Sequence, residues 1–216
     1  MIIRELTLLS TDLPATLEFY SRKLGLPILR NSDNKVSFQV GTSVLTFEQT
    51  QDSAPRYHFA FSVPAGSIGE AMEWSQGRLE LIQSEESPIF RFDNWAAQAI
   101  YFFDNNQNIV ELISRDALNS PAEHPFSVNS LLGINEIGLV FDSPLQGAGD
   151  LMRQTGLDYF SKGPVTEEFV ALGDESGLFV ISNPRRNWFP TQQAGERGRI
   201  KTKVEIRGIP YDLDLM

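Results

Sequence analysis

Imidazole is scarce in this chain: among 216 residues only His58 and His124 carry it, and cysteine is absent. Disulfides, thiolate sites and cysteine nucleophiles are therefore excluded, and any metal would be held by imidazole and oxygen. His58 heads the stretch "YHFAFSV" (57–63), in which His58, Ala60 and Ser62 alternate with Tyr57, Phe59, Phe61 and Val63. Side chains of a strand alternate between its two faces, so the imidazole belongs to a small, polar face opposite a large apolar one. Glutamates show the same segregation. Glu5 shares a face with Ile3, Thr7 and Leu9, Glu48 with Val44 and Thr46, and Glu111 opposes Val110 and Leu112. A sheet covered by helices on one side and open to a polar cavity on the other gives this pattern. Two readings of His58 follow: a metal ligand facing the cavity, or a structural histidine hydrogen-bonded to a neighbour. Glu111 taken alone is an ordinary surface carboxylate, and His124, between Glu123 and Pro125, is read as solvated.

The elements that would position these residues repeat along the chain. "IRELTLLSTDLPATLEFYSRKLGL" (3–26) and "INEIGLVFDSPLQGAGDLMRQTGL" (134–157) both open with Ile-x-Glu, turn at Asp, Ser and Pro, and stop at Gly-Leu. Glycine just beyond the last helical residue is the usual left-handed cap, so these read as two strand–helix units of one design. "YHFAFSVPAGSIGEAMEWSQGRLELI" (57–82) is a third. Short strands follow each: 35–41 and 43–49, then 97–104 and 108–114, then 168–174 and 178–183. Residues 117–130 read as a linker and 184–199 show no clear element. "RIKTKVEIRG" (199–208) reads as one more strand, at an edge because of its basic side chains.

A net charge of −10 argues against nucleic-acid and membrane-surface partners, which call for a basic face. No apolar stretch is long enough for a membrane span, and "MIIRELTLL" reads as a strand rather than a secretion signal, so a cytoplasmic protein is expected.

The stretches "LTLLSTDLPATLEFYSRKLGL", "YHFAFSV" and "YFFDNNQNIVELI" together resemble the vicinal oxygen chelate superfamily, which contains glyoxalase I, extradiol dioxygenases and bleomycin-resistance proteins. The turn "DNNQN" lacks that family's usual Pro and Gly, a change Asp and Asn tolerate. The resemblance implies an α+β fold of repeated βαβββ modules. Two of them, expected at 1–50 and 57–116, would pair into an open, cup-shaped mixed barrel, with a third related module after the linker at 131–216. It also implies a divalent metal held by the first and last strands of each paired module. Carried over, those positions are Glu5, Thr46, His58 and Glu111, with Glu48 able to replace the weak ligand Thr46. The third module has Glu136 at the first-strand slot but Val180 at the last, and reads as a structural copy without a metal of its own.

One imidazole with two carboxylates is a fairly hard donor set, suited to Mn²⁺ or Fe²⁺, and less selectively to Zn²⁺ or Ni²⁺. The function expected is a glyoxalase-related, metal-dependent isomerase or lyase acting on a small oxygen-chelating substrate, with Glu5 or Glu48 as base and Tyr101 as a further acid or donor. Arg91 and Trp95 would form a substrate rim. "WF" at 188–189, behind Arg185 and Arg186, reads as a lid, a dimer contact or neither. The alternatives are an extradiol-type dioxygenase and a metal-free, drug-binding protein of the bleomycin-resistance type. An odd number of modules leaves one without a mate. Either a homodimer pairs the third modules of two chains, or residues 184–216 supply a partial fourth unit.

Overall fold

The computed structural model describes residues 1–85, 87–118 and 125–215. Residues 119–124 of the expected linker, His124 among them, lie outside these. Each of the three units folds as its sequence pattern requires. The first is β1 (Ile2–Ser10), α1 (Leu13–Glu18), β2 (Ile28–Ser32), β3 (Lys35–Val40) and β4 (Ser43–Gln49). The second is β5 (His58–Val63), α2 (Ile68–Ser75), β6 (Phe90–Phe92), β7 (Ala97–Phe103) and β8 (Ile109–Arg115). The third is β9 (Gly133–Val140), α3 (Pro144–Thr155), β10 (Phe169–Asp174) and β11 (Gly177–Ser182). Helix starts are capped by Asp12, which accepts the Ala15 N–H at 2.9 Å, and by Ser143, which accepts that of Gln146. Helix α3 ends at Gly156 in the left-handed conformation (φ +72°), as the Gly-Leu signal predicts. The whole is a mixed α+β fold on one continuous open sheet. No helix of the described residues is long and apolar enough to cross a membrane.

Pairing of the modules follows strand contacts that local sequence does not encode. Strand β5 runs antiparallel to β9, with Ala60 opposite Glu136, so the cup forms between the second and third modules. The sequence reading paired the first and second modules instead. Strand β1 meets β9 at the single pair Ile3–Ile134 and takes its main partners elsewhere, β4 on one side and β12 (Ile200–Ile206) on the other. A hairpin of β12 and β13 (Ile209–Leu215) thus covers the first module, in the manner of the partial fourth unit. Its turn is Arg207–Gly208, both at positive φ, the mirror-image geometry that suits the strand twist. The third module has its mate within the chain, which removes the unpaired-module argument for a homodimer.

Strand alternation then divides the interior in two. Leu6, Leu8, Phe59, Phe61, Val110 and Leu112 pack beneath the helices in the main core. Ala60, Ile109, Ile113, Leu178 and Val180 line the opposite, concave side with Tyr101 and Trp188. In β1 the alternation breaks. A bulge between Ile3 and Glu5 sends Ile3 into the main core and leaves Glu5 on the other face.

Candidate metal centre and substrate cavity

The polar centre of the cup is made by three adjacent strands. On β5, Ala60 is flanked by Glu111 of β8 on one side and by Glu136 of β9 on the other. Alanine is small enough for both glutamates to lean over it, and His58 stands two residues away on the same face. His58, Glu111 and Glu136 are all buried, and each offers a ligand atom within 4.8 Å of the other two. The fourth equivalent position, on β11, is Val180, which has no donor.

Each of the three side chains is held by a neighbour. His58 Nδ1 lies 3.2 Å from the Ile109 carbonyl oxygen, while Nε2 lies 3.6 Å from Glu111 Oε2. Burial pulls the imidazole down to about 4, against the opposing pull of the Ile109 carbonyl, so it is neutral near pH 7. A neutral ring that donates from Nδ1 keeps its lone pair on Nε2, facing the carboxylates. Glu111 is held well above the usual carboxylate range, by burial first and by the charge of Glu136 second; the Tyr101 hydroxyl is bonded to it. Burial also raises Glu136, opposed by the guanidinium of Arg115, which donates from Nη2 to Glu136 Oε1.

Arg115 is fully buried. It shares the face of Glu111 and Ile113, donates from Nε to Asn135 Oδ1 at 2.9 Å, and lies over the rings of Trp95 and Phe160. Consecutive residues of a strand normally face opposite ways. Here a bulge between Ile134 and Glu136 lets both Asn135 and Glu136 reach the same guanidinium.

A cavity of about 290 Å³ opens above the cluster. Its walls are aromatic: Phe92, Trp95, Tyr101, Phe169, Trp188 and Phe189, with Arg186 as the one cation among the lining residues. The segment without sequence periodicity, 184–199, supplies Arg186, Trp188 and Phe189. Trp188 is buried with its ring 5.0 Å from that of His58. Gly138 makes this approach possible. A Cβ there would stand 2.9 Å from the His58 carbonyl oxygen and 3.1 Å from both His58 Cβ and Trp188 Cη2. The carbonyl cannot yield, so Gly138→Ala is expected to displace the indole and cost about 1–3 kcal/mol. Chemical denaturation checks this, and a variant of wild-type stability would show the packing to be loose.

The residues singled out from sequence divide between two places. His58, Glu111, Tyr101 and Trp95 line the cavity. Glu5, Thr46 and Glu48 lie instead on β1 and β4 of the first module. Glu5 is 44% exposed and pairs with Lys203 at 3.0 Å. Thr46 shares a 2.8 Å hydrogen bond with Ser37. Glu48 is paired with Lys35 at 2.8 Å and Lys201 at 2.9 Å. Partial burial works to raise the Glu48 carboxyl, but those two lysines outweigh it and hold it low. Arg91 is exposed on β6 and is not among the residues lining the cavity. Glu136, Arg115, Arg186 and Trp188 are the site residues that sequence reasoning did not assign to the cup.

Three donors of this kind fit a divalent cation. Ligand bonds of about 2.0–2.3 Å bring donor atoms to within this mutual separation, the lone pair of His58 is on the correct nitrogen, and Tyr101 and Arg115 orient the two carboxylates from behind.

Comparison with known proteins agrees with the fold. A "putative dioxygenase" from Bacillus subtilis subsp. subtilis str. 168 superposes with a TM-score of 0.61 at 16% identity, covering 84% of this chain and 63% of that one. The chain thus spans under two thirds of that protein's length. A glyoxalase I point mutant from Zea mays gives a TM-score of 0.57 at 14% identity, covering 88% of this chain and 70% of that one. At such identities the likeness is one of fold. No curated protein matches the sequence. Residues 2–157, well over half of the chain, match the family model, and the protein belongs to the Glyoxalase/Bleomycin resistance protein/Dioxygenase superfamily.

Proposed function

We infer that the protein is a metal-dependent enzyme of this superfamily, acting on a small molecule in the cavity of the second and third modules, with isomerase or lyase chemistry. The carrying observation is the convergence of His58, Glu111 and Glu136 within 4.8 Å at the base of that cavity. These three residues would hold a divalent cation, Mn²⁺, Fe²⁺, Zn²⁺ or Ni²⁺. Such an ion supplies Lewis-acid polarisation of substrate oxygens and stabilises the negative charge that develops on them. The two carboxylates differ in role. Glu136 is pinned by the guanidinium of Arg115, which favours its charged form against the burial that raises it. Glu111, with its high proton affinity, is the group suited to accept a proton from substrate carbon and return it. Tyr101, bonded to Glu111, orients that carboxylate and excludes water from its far side.

A second reading, a metal-free binding pocket, is favoured by one observation. Arg115 already neutralises Glu136, and burial favours a proton on Glu111, so the cluster reaches charge balance without a cation. Metal analysis after chelator-free purification separates the two. About one equivalent of divalent metal is expected, lost in His58→Ala and Glu111→Ala and retained in Glu5→Gln. A metal-free wild type, with melting unmoved by excess Mn²⁺, would reject the enzyme reading in favour of the pocket.

A further inference from the structure

Arg186 sits where the cavity wall turns away from β11. Its backbone N–H is fixed by Asn183 Oδ1 at 2.9 Å, and its guanidinium lies 4.4 Å from the Phe169 ring centroid. The side chain is half-buried, and its charge extends to His58, where it helps keep the ring neutral. Nevertheless, no carboxylate among the described residues pairs with it within 4.0 Å; Glu168 acts on it only at longer range. Its one side-chain hydrogen bond is a long one, 3.4 Å, from Nη1 to the Asn187 carbonyl. A guanidinium carries five donors in a rigid fork that matches a carboxylate. Here most of the fork is unused, at the edge of a cavity whose other walls are rings. Arg115, by contrast, is ion-paired with Glu136 and Glu175 and is not among the residues lining the cavity.

We propose that the cavity accepts a planar aromatic carboxylate, its ring between Trp95, Phe169 and Trp188 and its carboxylate on the Arg186 fork. The volume of about 290 Å³ is at the small end for ligand pockets and admits one or two fused rings. The anion lies toward Arg186 because that guanidinium is the one cation among the residues lining the cavity. The remaining end of the molecule then faces the three donors. The assignment takes this cavity as the substrate site, as inferred above, but does not require the cation.

Calorimetric titration of the full chain with 2-naphthoate and its neutral isostere 2-naphthamide tests the proposal. It is run on protein as purified and after dialysis against EDTA. Wild type is expected to bind the carboxylate at least about tenfold more tightly than the amide, in both preparations. Arg186→Gln should bind the two equally, with the affinity for the amide unchanged, a pattern that mere loss of packing would not give. Equal binding of both probes by wild type, binding of neither, or a preference that survives Arg186→Gln overturns the proposal. A preference abolished by EDTA also overturns it, since the carboxylate would then have been sitting on the metal. A metal-free protein that keeps the preference through Arg186 sinks the cation reading alone.

Discussion

Arg115→Met is expected to destabilise the protein by about 3–5 kcal/mol, the cost of breaking a buried ion pair by removing one partner. The guanidinium is fully buried and serves Glu136, Asn135 and, at 3.5 Å, Glu175, with two aromatic rings against its faces. A methionine fills part of the volume but leaves the Glu136 carboxylate desolvated with no cation beside it. The loss is bounded because the carboxyl can take up a proton, toward which burial already drives it. For a chain of this size the change corresponds to a fall in Tm of roughly 6–20 °C. Adding Glu136→Gln removes the stranded charge, so the double variant should recover at least half of the loss. Denaturant unfolding of the single and double variants measures this. A single variant within about 1 kcal/mol of wild type, or no recovery in the double, would show that the pair does not organise the cup.

What the sequence makes legible here is whatever one strand can say about itself. Phe59 and Phe61 opposite His58 and Ala60 place the imidazole on the concave face, and the structure has it there. Glu111 is legible in the same way, against Val110 and Leu112. Which module lies beside which is not a local property. Glu5 and Glu136 occupy equivalent slots in near-identical strand patterns, and nothing within either strand says which one meets β5. The distinguishing signal lies in the tail. Lys203 answers Glu5 at 3.0 Å and Glu205 answers Arg4 at 2.8 Å, so β12 is charge-complementary to β1, while Lys201 reaches Glu48 of β4. Reading that match would have given β1 its partner and released β9 for β5. Arg115 shares strand parity with Glu111 and so had a signal of its own, but arginine is rarely buried and its exposure was the natural expectation. Trp188 stood out only as part of the aromatic pair at 188–189. Its place beside His58 was not legible, since it reaches the ring from an irregular segment and the missing Cβ of Gly138 makes room for it.

The second large effect concerns acid. In metal-free protein, His58 is expected to weaken the fold by about 3 kcal/mol between pH 7 and pH 4. Burial, reinforced by Arg186, depresses the imidazole from 6.5 to about 4. A base with a lowered folded value takes its proton first in the unfolded chain. Its contribution is therefore complete above about pH 6.5 and is lost as pH falls toward 4. A pairing with Glu111, 3.6 Å away, would blunt the effect if that carboxylate stayed charged. It does not, because its raised proton affinity neutralises it before the imidazole titrates. Glu111 and Glu136 work in the opposite sense. Their folded values are raised, so their burial is least costly in acid and the fold loses that advantage as pH rises through them. The bare pH profile of wild type therefore mixes opposing limbs, and His58 must be isolated by difference. Denaturant unfolding in EDTA, for wild type and His58→Gln, provides that difference, since the amide NH2 can donate to the Ile109 carbonyl without titrating. The stability gap should shift by about 3 kcal/mol in favour of the variant from pH 7 to pH 4. Parallel curves would mean that water reaches the ring, and that the cluster beneath the cavity is too wet to hold its imidazole neutral by burial alone.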